Sequence, residues 1–287
     1  MQTGFLAIDK PVGPSSHEVS AYVAKILGVG KAGHTGTLDG NVSGVLVVLL
    51  NDATKTASFL PETDKEYACV METGKAHTKN EMEAAFENFR GKIYQTPPVA
   101  SAVARRLRIR EIYSLEVLEV QKKRALFTCK CQAGTYMRKL CEDAGRVLGD
   151  GAQMIELRRT MAMGINEDRA VTLQKLSDAH WLWKEKGDER EIRKTIRPIE
   201  ELVTLKKAAV LDDAMPRLMR GMDLRARDLA EFDDGIEKNE AVAIVTGDGE
   251  LLAIAKALES AKEFSSKENS QKNGAALDIE RLIRTMA

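Results

Sequence analysis

Gly33-His34-Thr35-Gly36-Thr37-Leu38-Asp39-Gly40 sets one imidazole and one carboxylate among three glycines, and the apolar run Val45-Leu46-Val47-Val48-Leu49-Leu50 follows closely. The second stretch is short, unbroken and rich in branched residues, so it reads as a buried strand. The first belongs to a longer segment, Gly28 to Gly44, with six glycines in seventeen residues. Such density marks a chain that turns sharply or approaches other backbone closely, and it can present Asp39 at an exposed bend. Composition alone gives a plain capped turn equal weight. A phosphate-binding loop does not fit, because Lys31 is followed by Ala32, and Lys25 stands where the upstream glycine is required. An aspartyl phosphatase does not fit either, since its acid precedes Gly-Thr.

Working outward, the order of elements is mixed. Phe5 to Asp9 reads as a short strand, stopped by Lys10-Pro11-Val12-Gly13-Pro14, where two prolines fix φ and remove donors. Ser15 and Glu18 form a capping box for a helix whose stripe is Val19, Tyr22, Val23, Ile26 and Leu27, ended by Gly28. Lys65 to Glu72 alternates as a strand, and Thr78 with Glu81 opens a second helix carrying Met82, Ala85, Phe86 and Phe89. Ile112 to Val120 and Ala125 to Gln132 pair as a hairpin. A helix carrying Met137, Leu140, Cys141 and Ala144 follows, then a strand from Ala152 to Thr160. Hairpin neighbours mixed with helices predict an α+β fold with a mixed or antiparallel sheet, not a doubly wound parallel one. Beyond a polar helical stretch from Thr172 to about Lys194, short strands at Ala208 to Leu211, Ala241 to Val245 and Leu251 to Ala255 predict a small β-rich, barrel-like second unit. The polar segment at about 260–274 reads as mobile, and Ile279 to Ile283 as a short amphipathic helix.

At 287 residues the chain is long enough for about two domains, and 44% hydrophobic with 30% charged residues is an ordinary globular balance. Wholesale disorder and a disulfide-dependent scaffold are excluded. Lys+Arg and Asp+Glu each count 43, so any basic surface is local. One such surface lies between Ser101 and Arg124, where seven basic residues face three acidic ones. Four cysteines without an apolar leader read as reduced thiols in a cytoplasmic protein. The longest apolar run is six residues, far short of the roughly 20 that span a bilayer. The four histidines are scattered singly, and Cys129 and Cys131 lack a second pair, so a metal site is not expected and core packing is the reading for both thiols.

Four further stretches stand in order with the glycine-rich one: Asp9-Lys10-Pro11-Val12-Gly13-Pro14-Ser15-Ser16-His17-Glu18-Val19, Lys65-Glu66-Tyr67, Ala133-Gly134-Thr135-Tyr136-Met137-Arg138 and Glu156-Leu157-Arg158-Arg159-Thr160. Together the five resemble the signature of TruB-type pseudouridine synthases. The Asp9 to Val19 stretch, and the run from Pro97-Pro98 to Arg105-Arg106-Leu107-Arg108-Ile109-Arg110, resemble the archaeal and eukaryotic dyskerin-like branch that works in H/ACA ribonucleoproteins. Pro216 to Gly221 and Glu231 to Ile236 are similar to a PUA domain. The resemblance implies a catalytic domain over 1–204 and a PUA RNA-binding domain over 205–287.

That resemblance also implies roles. Asp39 would be the essential carboxylate, attacking C1′ of the target uridine or taking a sugar proton, and a carboxylate suits either role. Arg138 would pair with it and orient it. Tyr67 would stack on the everted base, replacing lost stacking worth about 1–3 kcal/mol, and assist the late proton transfer. His34 and Leu157 would contact the flipped nucleotide, and Arg105, Arg106 and Arg108 would lie on the loop that closes over RNA. The isomerisation needs no redox cofactor. Implied partners are an H/ACA guide RNA, an rRNA substrate and the particle's small accessory proteins, with no membrane. A stand-alone enzyme acting on the tRNA T-loop and a non-catalytic RNA-binding scaffold are the alternatives. The chain departs from the family where Gly40 and Asn41 replace proline and a basic residue, which predicts a looser loop around Asp39.

Overall fold

The computed structural model describes residues 3–97, 104, 106–264 and 274–284. The first unit runs β1 (Thr3–Lys10), α1 (Ser16–Leu27), β2 (Ala32–Thr35), β3 (Ser43–Asn51), β4 (Lys65–Thr73), α2 (Lys79–Glu87), β5 (Gly91–Gln95), β6 (Arg108–Gln121), β7 (Arg124–Cys131), α3 (Met137–Leu148), β8 (Ala152–Ala162), β9 (Ile165–Asn166), α4 (Leu173–Lys186), α5 (Arg190–Thr195) and β10 (Arg197–Pro198). These strands form one sheet in the order β10-β1-β3-β8-β4-β7-β6-β5, with β2 added on β3 and β9 on β8. All its pairings are antiparallel but one. Strands β3 and β8 run parallel and touch only at Ser43↔Arg158 and Gly44↔Arg159, so a short seam joins two antiparallel halves. At that seam Gly44 has φ +104°, and a Cβ there would lie 2.1 Å from the Arg159 carbonyl oxygen. Only glycine permits the crossing.

The local signals behave as the sequence predicts. Ser15 and Thr78 each close a capping box, with Glu18 and Glu81, and Gly28 ends α1 in the left-handed region. Helix α1 turns Val19, Val23 and Leu27 onto Leu6, Ile8, Leu46, Val48 and Leu50. In the other half of the sheet, Met82 and Phe86 of α2 and Leu140 and Cys141 of α3 pack on Cys69, Met71, Phe127, Cys129 and Cys131. All four cysteines are free and buried. Leu157 touches both groups, so the two cores run together across one face of the sheet.

The second unit comprises β11 (Lys206–Val210), α6 (Met215–Leu218), β12 (Leu229–Phe232), β13 (Ala241–Val245), β14 (Leu251–Ala257), α7 (Ala261–Phe264) and β15 (Leu277–Leu282). Its sheet has the open order β12-β11-β13-β14-β15. Among the described residues it does not close, which corrects the barrel-like expectation. The predicted C-terminal helix is also overturned, because Leu277–Leu282 is a strand antiparallel to β14. A register shift lies opposite Ile254/Ala255, where Ile279 and Arg281 are the successive partners. The extra residue puts Ile279 and Leu282 on one core, so a bulged strand mimics helical spacing. Most of the segment expected to be mobile, 265–273, lies outside the described residues, and Ala261 and Phe264 just before it are buried.

The two units share a core. Ala243, Val245, Leu251, Ile254 and Ile283 of the second pack on Phe5, Ala7, Val45, Val47 and Leu49 of the first, the sheet face opposite α1. Arg284 adds ion pairs to Glu200 at 2.9 Å and to Glu250 at 2.7 Å. The face bearing α1 and α3 is thereby left to carry the site.

Candidate active site

Asp39 lies on the segment between β2 and β3, and side chains from three separate elements brace that segment. Lys10, fully buried at the end of β1, donates from Nζ to the carbonyls of Val42 at 2.7 Å, Pro11 at 2.9 Å and Gly40 at 3.4 Å. Ser16, in the first turn of α1, donates to the Leu38 carbonyl and accepts from the Leu38 N–H. Arg159, on β8, donates from Nε to the Val45 carbonyl at 2.8 Å and from Nη2 to the Gly36 carbonyl at 2.9 Å. The backbone is thus fixed on both sides of Asp39 while the carboxylate itself stays 71% exposed. The looser loop predicted from Gly40 and Asn41 is therefore corrected, because the backbone around Asp39 is held on both sides. The Gly13 N–H donates to the Gly40 carbonyl at 2.8 Å, and a Cβ on Gly40 would lie 3.1 Å from the Gly13 oxygen, so the glycine admits a close backbone crossing that holds the loop.

Arg138 projects from the first turn of α3. The Tyr136 backbone at the head of that helix is gripped by the Gln95 side chain of β5, which donates to its carbonyl at 3.2 Å and accepts from its N–H at 2.9 Å. The Arg138 Nη2 reaches to 3.8 Å from Asp39 Oδ2. That is the pairing the resemblance implies, but as a loose ion pair, longer than a hydrogen bond. Both side chains face solvent.

Tyr67, on β4, is only 8% exposed. It pairs in register with Arg159 of β8 and Cys129 of β7, and the Arg159 guanidinium interacts electrostatically with its phenol. Burial pushes its pKa up to about 12, against the opposing pull of Arg159. Burial likewise lowers the pKa of Lys10 and of Lys65, with Arg159 adding to both shifts and Asp39 opposing the first. Three cations therefore underlie the loop that carries one exposed carboxylate.

His34 turns both ring nitrogens to its own chain, Nδ1 to Ser20 Oγ at 3.2 Å and Nε2 to Thr37 Oγ1 at 3.4 Å, and stacks edge-on against His17. Leu157 sits two residues before Arg159 on β8, partly buried between the two cores. Arg106 is exposed and Arg108 begins β6. Neither pairs with Asp39 among the described residues, and Arg105 lies outside them. Sequence reasoning passed over Lys10, Ser16, Gln95 and Arg159 as site-forming residues. Three of the four stand inside the quoted motifs, and the available signal was a cation or hydroxyl at a position whose neighbours demand burial. Among the described residues no three His, Cys, Asp or Glu side chains converge as a metal-ligand set, and no helix is long and apolar enough to cross a membrane.

Comparison with known proteins places these features in a class. The TruB family pseudouridylate synthase N-terminal domain matches residues 24–137, the tRNA pseudouridylate synthase B C-terminal domain matches 138–204, and the PUA domain matches 206–282. The "Probable tRNA pseudouridine synthase B" of Methanocaldococcus jannaschii is 47% identical over 280 residues, 97% of this chain and 82% of that protein. The protein of the same name from Archaeoglobus fulgidus is 44% identical over 284 residues, covering 99% and 86%. Among solved structures, "Crystal Structure of a Cbf5-Nop10-Gar1 Complex" superposes with TM-score 0.82 at 41% identity over 99% of this chain and 86% of that one. "Structure of H/ACA RNP bound to a substrate RNA containing 2'-deoxyuridine" superposes with TM-score 0.81 at 38% identity over the same shares. The chain belongs to the TruB family of pseudouridine synthases, in the form that carries a PUA domain.

Proposed function

We infer that this enzyme isomerises rRNA uridines as the catalytic subunit of an H/ACA guide-RNA particle, with guide RNA and small accessory proteins as partners. The observation that carries this is the superposition of both units, over 99% of the chain, on the H/ACA RNP bound to a substrate RNA, and likewise on the Cbf5-Nop10-Gar1 complex. The zero net charge agrees with it, because a subunit without its own broad basic surface draws on companions for part of its RNA affinity. In this reading residues 1–204 catalyse and 205–287 bind RNA. Relatives named for tRNA support a second reading, modification of tRNA without a guide. Incubating the protein with unmodified tRNA alone, and separately with accessory proteins, guide and an rRNA fragment, then mapping pseudouridine, separates them. Product on tRNA alone overturns the first reading, and RNA binding without product in either arm would leave a non-catalytic scaffold.

In the reaction, the C1′–N1 bond of uridine breaks, the freed uracil turns, and C5 bonds to C1′. Asp39, exposed on a braced loop, meets the sugar as nucleophile at C1′ or as base on a sugar proton. Arg138 closes from 3.8 Å as the RNA excludes water, which strengthens the pair. Tyr67 packs beneath the everted base with Leu157 beside it. His34 braces the loop through Thr37 and contacts the nucleotide, and Arg105, Arg106 and Arg108 bind the RNA backbone.

A further inference from the structure

The side chain that joins most parts of the site has no role in the chemistry above. Arg159 is 1% exposed and has the greatest volume of the fully buried side chains described. A guanidinium taken out of water ordinarily finds a carboxylate. Arg159 has none within ion-pair reach among the described residues, and the only ionisable group that offsets its burial is the Tyr67 phenol. Its other partners are the uncharged carbonyls of Val45 and Gly36. Register fixes this placement, since Arg159 faces Gly44 across the parallel seam and Tyr67 across the antiparallel one.

Charge sets the direction of the contact. A guanidinium carries donors only, so toward its register partner Arg159 the phenolic oxygen can present only a lone pair, with the phenol's own proton turned away from the cation. An uncompensated charge in a buried setting also acts on that oxygen more strongly than an exposed one would.

We propose that Arg159 is a positioning residue that acts through Tyr67, fixing the phenol's orientation and supporting the negative charge its oxygen carries just before it takes the C5 proton in the last proton transfer. This rests on the roles given above to Asp39 and Tyr67. Once C5 is joined to C1′, the C5–H electron pair becomes the C5–C6 double bond and the N1–C6 double bond opens to take a proton at N1. The phenol first gives its own proton to solvent, the oxygen left negative beside Arg159 takes the C5 proton, and solvent returns one to N1, so no proton or electron is gained or lost overall.

The test is single-turnover kinetics on the RNA the wild-type protein modifies, with protium or deuterium at C5 of the target uridine. Arg159→Met and Arg159→Lys are compared with wild type and with Tyr67→Phe, and RNA affinity and thermal melting are measured for each. Arg159→Met is expected to slow turnover about 100-fold, the scale of general acid–base assistance, with affinity within a few fold of wild type and a larger C5 isotope effect. Arg159→Lys should fall between them, and adding Tyr67→Phe to Arg159→Met should cost nothing more. A slowed rate with an unchanged isotope effect would overturn the proposal, because it would place the defect at the Asp39 loop. Loss of folding in both variants would overturn it as well, by showing that the side chain holds the sheet. Full activity of Tyr67→Phe would instead remove the role of Tyr67, and the proposal with it.

Discussion

The Ser16 hydroxyl and the Leu38 backbone exchange two hydrogen bonds of 2.8 Å, one given to the carbonyl and one taken from the N–H. Both residues are buried, and Leu38 immediately precedes Asp39. Removing the oxygen strands a buried donor and a buried acceptor, and an unpaired buried group costs about 1–3 kcal/mol. Ser16→Ala is therefore expected to lower the unfolding free energy by about 2 kcal/mol and to slow turnover, read by urea denaturation and a single-turnover assay. Wild-type values for both would mean that the brace on Asp39 lies elsewhere.

Asp39→Asn keeps the shape of an exposed side chain that holds no buried partner. It should leave the melting temperature unchanged and RNA affinity within a few fold of wild type, while product falls below detection. A parallel loss of RNA binding, measured by filter retention, would give the residue a structural part instead.

Arg138 and Asp39 form an exposed pair, and such pairs contribute about 0–1 kcal/mol to folding. Arg138→Ala should therefore be silent in a thermal melt yet slow the single-turnover rate strongly. Since a lysine cannot reproduce the planar fork, Arg138→Lys should restore only part of the rate. Full activity in Arg138→Ala would remove the arginine from the reaction.

Much of the fold was legible because its signals are local. Ser15 with Glu18 and Thr78 with Glu81 act through backbone donors three residues away, and Gly28 ends its helix wherever it stands. The candidate site was legible through motifs, which named Asp39, Tyr67 and Arg138, two of which the structure brings within 3.8 Å. What stayed hidden depends on non-local register. The bulge that turns Ile279 and Leu282 to one side exists only opposite Ile254 and Ala255. Arg159 likewise gains its partners only when β3 and β4 close on β8. Gln95 shows nothing in its own neighbourhood of the helix 41 residues on that it holds.

The shared core predicts that the two units melt together. Ile254, Leu251 and Ile283 fill the face of β1 and β3, and Glu200 accepts from both the Leu251 N–H and the Arg284 guanidinium. Calorimetry of the full chain should show one cooperative transition. Ile254→Ala, which truncates a fully buried side chain, should lower it by the equivalent of about 2–5 kcal/mol without splitting it. Two resolved transitions in the wild-type protein would show the units to be energetically independent.

Acid should loosen the site before it unfolds the rest. Burial lowers the His34 pKa below its ordinary value, and His17 and Arg159 add to the shift. His180 is lowered too, by burial and by Lys184. For a histidine depressed in the folded state, the unfolded chain takes up the proton first as pH falls. Its stabilising contribution is thus complete above about 6.5 and is lost between that value and the lower folded one. Protonation would also make donors of both His34 nitrogens, one of which faces Thr37 beside Asp39. Melting temperatures measured at about pH 7.5 and about pH 5 should therefore fall for the wild type, and fall less for His34→Asn, which cannot titrate. Equal losses in the two proteins would show that His34 is not the group that responds.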